Sequence, residues 1–168
     1  MGGWFPRPMP TEGDAVPSFF QRGGRWVLGQ SALLLAVIIL APLFRSDDRN
    51  LALMIPGAVL LSLSAVIGGT GAIGLGRGLT PFPKPTINAR LVQRGIYGLV
   101  RHPLYTSVMA GALGWALVWR SWPALLAGLA LSLFLDAKAR HEERWLREQF
   151  PEYAEYAQRV RRFIPWVY

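Results

Sequence analysis

Four runs of this chain contain no Asp, Glu, Lys or Arg: Trp26 to Phe44, Leu51 to Gly76, His102 to Trp119 and Ser121 to Leu135. They are 19, 26, 18 and 15 residues long and take in nearly half of the 168 residues. A helix crosses lipid hydrocarbon with roughly 20 mostly apolar residues, in a range of about 17 to 25. Only 17% of the chain is charged, against about a quarter in an ordinary soluble domain. The runs therefore predict an all-α, polytopic membrane protein with spans at about 26–44, 51–76, 105–119 and 123–137. Residues 1–25, rich in Gly and Pro, read as a loose tail before one domain over 26–168.

Net charge is +8, a balance that by itself suggests nucleic acid. Its distribution points to a membrane instead. Arg77 to Arg101 holds five basic residues and no acid, between apolar runs, as cytoplasmic loops of membrane proteins do. Four spans put both termini on one side. That side then carries fifteen of the 18 basic residues, and the other only Arg45, Arg49 and Arg120. The expected orientation is thus both termini in the cytoplasm, with no nucleic-acid partner. The chain has no cysteine, so disulfides, thiolate metal sites and Cys nucleophiles are excluded. The first apolar run lacks a small-residue cleavage pattern and does not read as a signal peptide.

Arg120-Ser121-Trp122 is a tight joint between the third and fourth spans, with Pro123 expected at the first position of the returning helix. Beyond Asp136 the fourth helix is expected to run on, charged, through about Gln149. Pro151 then begins a short helix in a C-terminal segment expected on the cytoplasmic side. Leu146, Phe150, Tyr153, Ala157, Val160 and Ile164 form an apolar stripe that either packs back on the core or lies in the lipid interface.

Gly69-Thr70-Gly71-Ala72-Ile73-Gly74 matches the dinucleotide pattern GxGxxG, but no helix can follow through Gly76, Gly78, Pro81 and Pro83. The next acidic residue is Asp136, far from the position a ribose needs. Small residues at such spacing serve close helix packing in membranes.

Two polar clusters remain. Ala89 to Tyr105 ends in Arg101-His102-Pro103-Leu104-Tyr105 at the mouth of the third span, where ionisable groups usually face a cavity or pathway. The second, Asp136 to Leu146, lies where the fourth helix emerges. There Lys138 and Glu142 share a face, as do Glu143 and Arg147; read as exposed ion pairs, they would contribute little. His102 and His141 lack a metal-ligand spacing, so no metal is expected.

The run Leu91-Val92-x-x-Gly95-x-Tyr97-x-x-Val100-Arg101-His102-Pro103-x-Tyr105 is followed by a hydrophobic hairpin. After it come Glu142-Glu143-x-x-Leu146, Tyr153-x-x-Tyr156 and Arg162-Phe163-Ile164-Pro165. This order resembles the isoprenylcysteine carboxyl methyltransferase and phospholipid methyltransferase superfamily of membrane enzymes, over about residues 74 to 168. The resemblance implies S-adenosylmethionine as methyl donor and a lipophilic or small apolar acceptor. Carried over, a strand-like stretch Ala89, Arg90, Leu91 and Val92 would line the adenosine with Tyr97. His102, Pro103, Leu104 and Tyr105 would bind the methionine part, and Glu142 its ammonium. Lys138 stands where the carboxyl methyltransferases carry a substrate-facing arginine. An ammonium does not reproduce a bidentate guanidinium, which argues against a prenylcysteine carboxylate as acceptor. The alternatives are an NADPH-dependent membrane reductase of the sterol reductase type, which is much longer, and a non-catalytic membrane scaffold.

Overall fold

A computed structural model describes residues 18–47, 51–80, 82 and 91–168. Five α-helices follow in order among them: α1 (Gly24–Leu43), α2 (Leu51–Leu75), α3 (Pro103–Trp119), α4 (Trp122–Gln149) and α5 (Tyr153–Arg159). Short 3-10 turns lie at Gly76–Gly78 and Gly95–Gly98. The described residues form no strand, only an isolated parallel bridge between Val100 and Arg161. The all-α expectation holds. Leu91 and Val92 are irregular rather than strand-like, and Ala89 and Arg90 fall outside the described residues.

The count of about four spans is corrected. Three helices, α1, α2 and α4, are long and apolar enough to cross a membrane. α3 has 17 residues, a rise of about 25 Å against a hydrocarbon core of about 30 Å. Pro103 sits at its first turn, and Arg120 closes it in the left-handed conformation (φ 53°) with its N–H on the Ala116 and Leu117 carbonyls. Both ends are thus fixed by local chemistry, and the helix stays short.

α3 is nonetheless central to the bundle. Val37 of α1, Ala112 of α3 and Leu131 and Leu135 of α4 form one buried cluster. Ala41, Ala116 and Ala124 form a second, towards the α3–α4 joint. At that joint Trp122, not Pro123, is the first helical residue: Ser121 caps the helix, its Oγ accepting from Ala124 N–H and donating to Leu40 O, so Pro123 is the second. The bundle's outer faces are apolar, with Leu35, Ile39, Val59, Val66, Leu126 and Leu133 exposed. Such faces suit lipid rather than water.

α2 meets α3 backbone to backbone. A Cβ on Gly114 would stand 2.8 Å from Gly57 O, and one on Gly57 would stand 2.8 Å from Val118 N. Two turns further, Ser64 Oγ donates to Ser107 O at 2.7 Å. Close approach through small residues extends to Gly71, whose Cβ would meet Leu104 at 3.2 Å, and Gly74, whose Cβ would meet the Tyr97 ring at 3.2 Å. The GxGxxG pattern is therefore a helix-packing surface inside α2. Gly69 is different, having open space where its Cβ would be.

Candidate functional site

His102 and Pro103 start α3, and Pro103 sets the first helical φ without a missing hydrogen bond. The preceding residues are held from the side. Arg101 N–H donates to Arg161 O at 2.8 Å and His102 N–H to Arg162 O at 3.1 Å, so residues 100–102 lie alongside the C-terminal segment. Thr106 Oγ1 adds a bond to Phe163 O.

α4 brings the second cluster. Glu143 is 3% exposed and accepts on Oε1 from Arg101 Nη2 (2.9 Å), Arg162 Nε (3.0 Å) and His102 Nε2 (3.2 Å). Its Oε2 accepts from Arg162 Nη2 at 3.1 Å. Arg101 spends its remaining donor group on the Ala157 and Val160 carbonyls, and Arg162 reaches Asp136 and Tyr168. The bond to Glu143 holds the Arg162 guanidinium above its ordinary pKa despite burial. One carboxylate thus ties α4 to the loop before α3 and to the segment after α5. Pairing Glu143 with exposed Arg147 is corrected: the structure turns Glu143 inward. The sequence signal for this is the buried stripe Leu131, Leu135, Ala139, whose next step of four is residue 143.

The α5 stripe packs back on the protein. Tyr153, Tyr156 and Val160 form a buried cluster with Leu91, Leu146, Phe150 and Ala157 around it, while Ile164 is exposed. The helix begins at Tyr153 rather than Pro151. Tyr156 donates to Tyr97 O at 2.6 Å, and Tyr97 donates to Gly71 O at 3.3 Å. Two phenols therefore stitch α5 to the Gly95–Gly98 turn and that turn to α2. Burial pushes the Tyr156 hydroxyl up to about 12 and raises Tyr97 and Tyr153 above the ordinary phenol value.

These elements line a cavity with about 880 Å³ of empty space, its open mouth included. Every described residue assigned by the resemblance to the methyl donor lines it: Leu91, Val92, Tyr97, His102, Pro103, Leu104, Tyr105 and Glu142. Leu75, Phe82, Leu146, Phe150, Tyr153 and Tyr156 supply apolar and aromatic wall. Glu142 accepts from Tyr105 Oη at 2.6 Å, with His102 Nδ1 at 4.0 Å. The His102 and Tyr105 rings stack at 5.3 Å between centroids and 4° between planes. Lys138 stands one side chain away from the cavity wall. It is 1% exposed, its Nζ lies 5.0 Å over the Tyr105 ring, and it donates to Gln30 of α1 at 2.7 Å.

The cavity is polar at one end and aromatic along its length. Glu142 and Leu146 lie four residues apart on α4 and Phe150, its C-cap, four further on, so the backbone positions of the carboxylate and the phenyl ring are about 12 Å apart. An elongated ligand with a cationic end and a flat ring fits that arrangement. Sequence reasoning missed Glu143, Arg162 and Asp136 as a structural hub, and Tyr153 as cavity wall.

Residues 52–153 match the family described as phospholipid methyltransferase. Over 80 residues the chain is 45% identical to a cobalt-zinc-cadmium resistance protein of Cupriavidus metallidurans, which covers 46% of this chain and 37% of that one. A nickel-cobalt-cadmium resistance protein of Alcaligenes xylosoxydans xylosoxydans is 35% identical over 79 residues, again 46% and 37% of the two chains. A probable protein-S-isoprenylcysteine O-methyltransferase of Oryza sativa subsp. indica is 28% identical over 147 residues, 85% of this chain and 77% of that one. The match to the two metal-resistance relatives thus spans little more than a third of their length.

Proposed function

The chain belongs to the phospholipid methyltransferase family, and on that premise we propose that it is an integral membrane, S-adenosylmethionine-dependent methyltransferase acting on a lipophilic or small apolar acceptor. The observation that carries the reading is the single cavity that gathers Leu91, Val92, Tyr97, His102, Pro103, Leu104, Tyr105 and Glu142.

The residues present suit that cofactor. Glu142 is an acceptor for its ammonium, a charge-assisted bond, and Tyr105 and His102 fix the position of Glu142. Tyr97 with Leu91 and Val92 offers an apolar wall to the adenosine, and Ala89 and Arg90 are proposed to extend it. Pro103 and Leu104 close the cavity at the start of α3. When bound, the cofactor supplies a methyl group on a sulfonium, which the acceptor's lone pair takes up in line as the thioether leaves. What the protein adds is alignment of donor and acceptor and exclusion of water. Lys138, held by Gln30 and lying over Tyr105, is proposed to bear on the acceptor side through the Tyr105 ring. A lysine here disfavours bidentate recognition of a prenylcysteine carboxylate.

The apolar outer faces of α1, α2 and α4 support entry of the acceptor from the bilayer. The excess of basic residues in the central loop and C-terminal segment, which Glu143 ties together through Arg101 and Arg162, supports a cytoplasmic location for that face of the bundle. The test is transfer of label from methyl-tritiated S-adenosylmethionine into a membrane lipid extract by the protein in lipid nanodiscs. Label in the organic phase, lost with Glu142→Gln, is expected. No transfer, with oxidation of NADPH by the same sample, would select the reductase reading instead.

A further inference from the structure

Outside the cavity, an aromatic and cationic patch lies where α1 begins and the charged half of α4 leaves the apolar bundle. α1 turns from charged to apolar between Arg25 and Trp26, and α4 in the opposite sense between Leu135 and Asp136. The Trp26 ring packs on Phe134, before that boundary, at 5.2 Å and on His141, beyond it, at 5.5 Å. α1 comes this close because Gly29 faces the Phe134 ring, where a Cβ would stand 2.6 Å away. Trp145 meets the His141 ring edge to face at 4.4 Å. Indole rings at such a level are the usual mark of the membrane–water interface.

The charges here have one sign. Arg144 donates to Nδ1 of His141, so the imidazole carries its proton on Nε2, and no bond among the described residues engages that nitrogen. Arg25 bears electrostatically on the same ring. Both arginines are exposed, and among the described residues neither is in an ion pair. Glu148 stands four residues beyond Arg144, a spacing that pairs side chains on a helix, yet Arg144 turns back to His141. By contrast, Arg101 and Arg162 end on Glu143, and Arg140 on Asp136. The lipid side is marked too. Leu126 and Leu133, 67% and 75% exposed, lie seven residues apart on α4, and eleven further along the same face is Arg144.

We propose that Arg25, His141 and Arg144 bind the phosphate of an anionic phospholipid, whose acyl chains lie on the apolar stripe below. A guanidinium matches phosphate oxygens as a two-pronged donor, and the His141 Nε2–H is a further donor beside it. Two arginines without a counter-charge favour a headgroup of net negative charge. A zwitterionic headgroup would bring its own cation among them. The site is separate from the cavity and holds whatever the cavity binds.

The experiment is native mass spectrometry of the full chain in detergent. It is titrated with phosphatidylglycerol, with phosphatidylcholine of the same acyl chains, and with sodium phosphate. One phosphatidylglycerol should be retained more tightly than phosphatidylcholine, and inorganic phosphate should not displace it. Arg25→Gln with Arg144→Gln is expected to weaken its binding about thirtyfold, and Arg144→Gln alone about fivefold. Arg147→Gln with Arg159→Gln removes the same charge from other exposed positions and should leave that binding unchanged. All three variants should melt with the unsubstituted chain in lipid-free detergent. Equal losses in the two double variants would overturn the proposal, since they would mark diffuse surface charge. So would phosphatidylcholine bound as tightly as phosphatidylglycerol. Displacement of the lipid by inorganic phosphate would overturn the lipid source and assign the patch to a soluble anion.

Discussion

The Tyr105 hydroxyl donates to Glu142 Oε2 at 2.6 Å, joining the first turn of α3 to the charged half of α4. The bond spans 37 residues of sequence and fixes a carboxylate at the polar end of the cavity. Because α3 starts at Pro103, Tyr105 is only two residues into the helix and cannot drift without the His102 stack moving too. Removing this oxygen with Tyr105→Phe should loosen Glu142 without emptying the ring's place. The expected result is about tenfold weaker S-adenosylhomocysteine binding, the size of one hydrogen bond to a charged group. Titration calorimetry measures it; unchanged affinity would show that Glu142 needs no such support.

Glu143 makes a different prediction, one of stability. It neutralises Arg101 and Arg162, whose side chains are 9% and 17% exposed. Glu143→Gln leaves Arg101 without its carboxylate and Arg162 with Asp136 alone, and breaking such a buried pair is unfavourable by about 3–5 kcal/mol. Glu148→Gln, on the exposed end of the same helix, should change stability by less than about 0.5 kcal/mol. Detergent-resistant thermal unfolding of the two variants checks the difference.

The α2–α3 contact depends on glycine where backbones touch. Gly114→Ala puts a methyl group 2.8 Å from Gly57 O, and overpacking of this kind is unfavourable by about 1–3 kcal/mol. Gly69→Ala, in the same α2 but facing open space, should be neutral or stabilising by up to about 1 kcal/mol. Opposite signs for the two substitutions in chemical unfolding would support the packing surface. Equal effects would contradict it.

Tyr97, Tyr153 and Tyr156 give a pH dependence with a definite sign. Burial raises all three phenols, Tyr156 to about 12, so in the folded protein they keep their protons past pH 10. The unfolded chain ionises at about 10, binding fewer protons than the fold, and stability falls as pH rises. It is fully present below pH 10 and should decline between pH 10 and 12 by about 1.4 kcal/mol per pH unit for each phenol still protonated. Denaturant midpoints with tyrosinate absorbance will read this. Absorbance rising with an ordinary phenol pKa before unfolding would contradict it.

Much of this architecture is legible from charge alone. The charge-free runs mark α1, α2 and the first half of α4 because an apolar helix in lipid needs no partner to specify it. The length of α3 is set by Pro103 and by the left-handed Arg120, so counting apolar residues overestimates what it can span. At the site, Arg101-His102-Pro103-x-Tyr105 and Glu142 are visible because ionisable groups at a membrane helix are rare. Glu143 is misread for a physical reason. Spacing of four along a helix pairs it with Arg147, whereas the tertiary fold offers Arg101 and Arg162 from segments far apart in sequence. The same holds for Lys138, whose partner Gln30 lies on α1. Contacts between distant segments leave no periodic trace.

The central claim is that one cavity, closed by the start of α3 and the charged half of α4, binds S-adenosylmethionine. Calorimetric titration of the purified chain with S-adenosylmethionine tests it most directly, run beside Glu142→Ala and His102→Ala. The account predicts saturable binding to the unsubstituted chain and at least tenfold weaker binding to each variant. No binding to the unsubstituted chain, or binding that both substitutions leave unchanged, would contradict it.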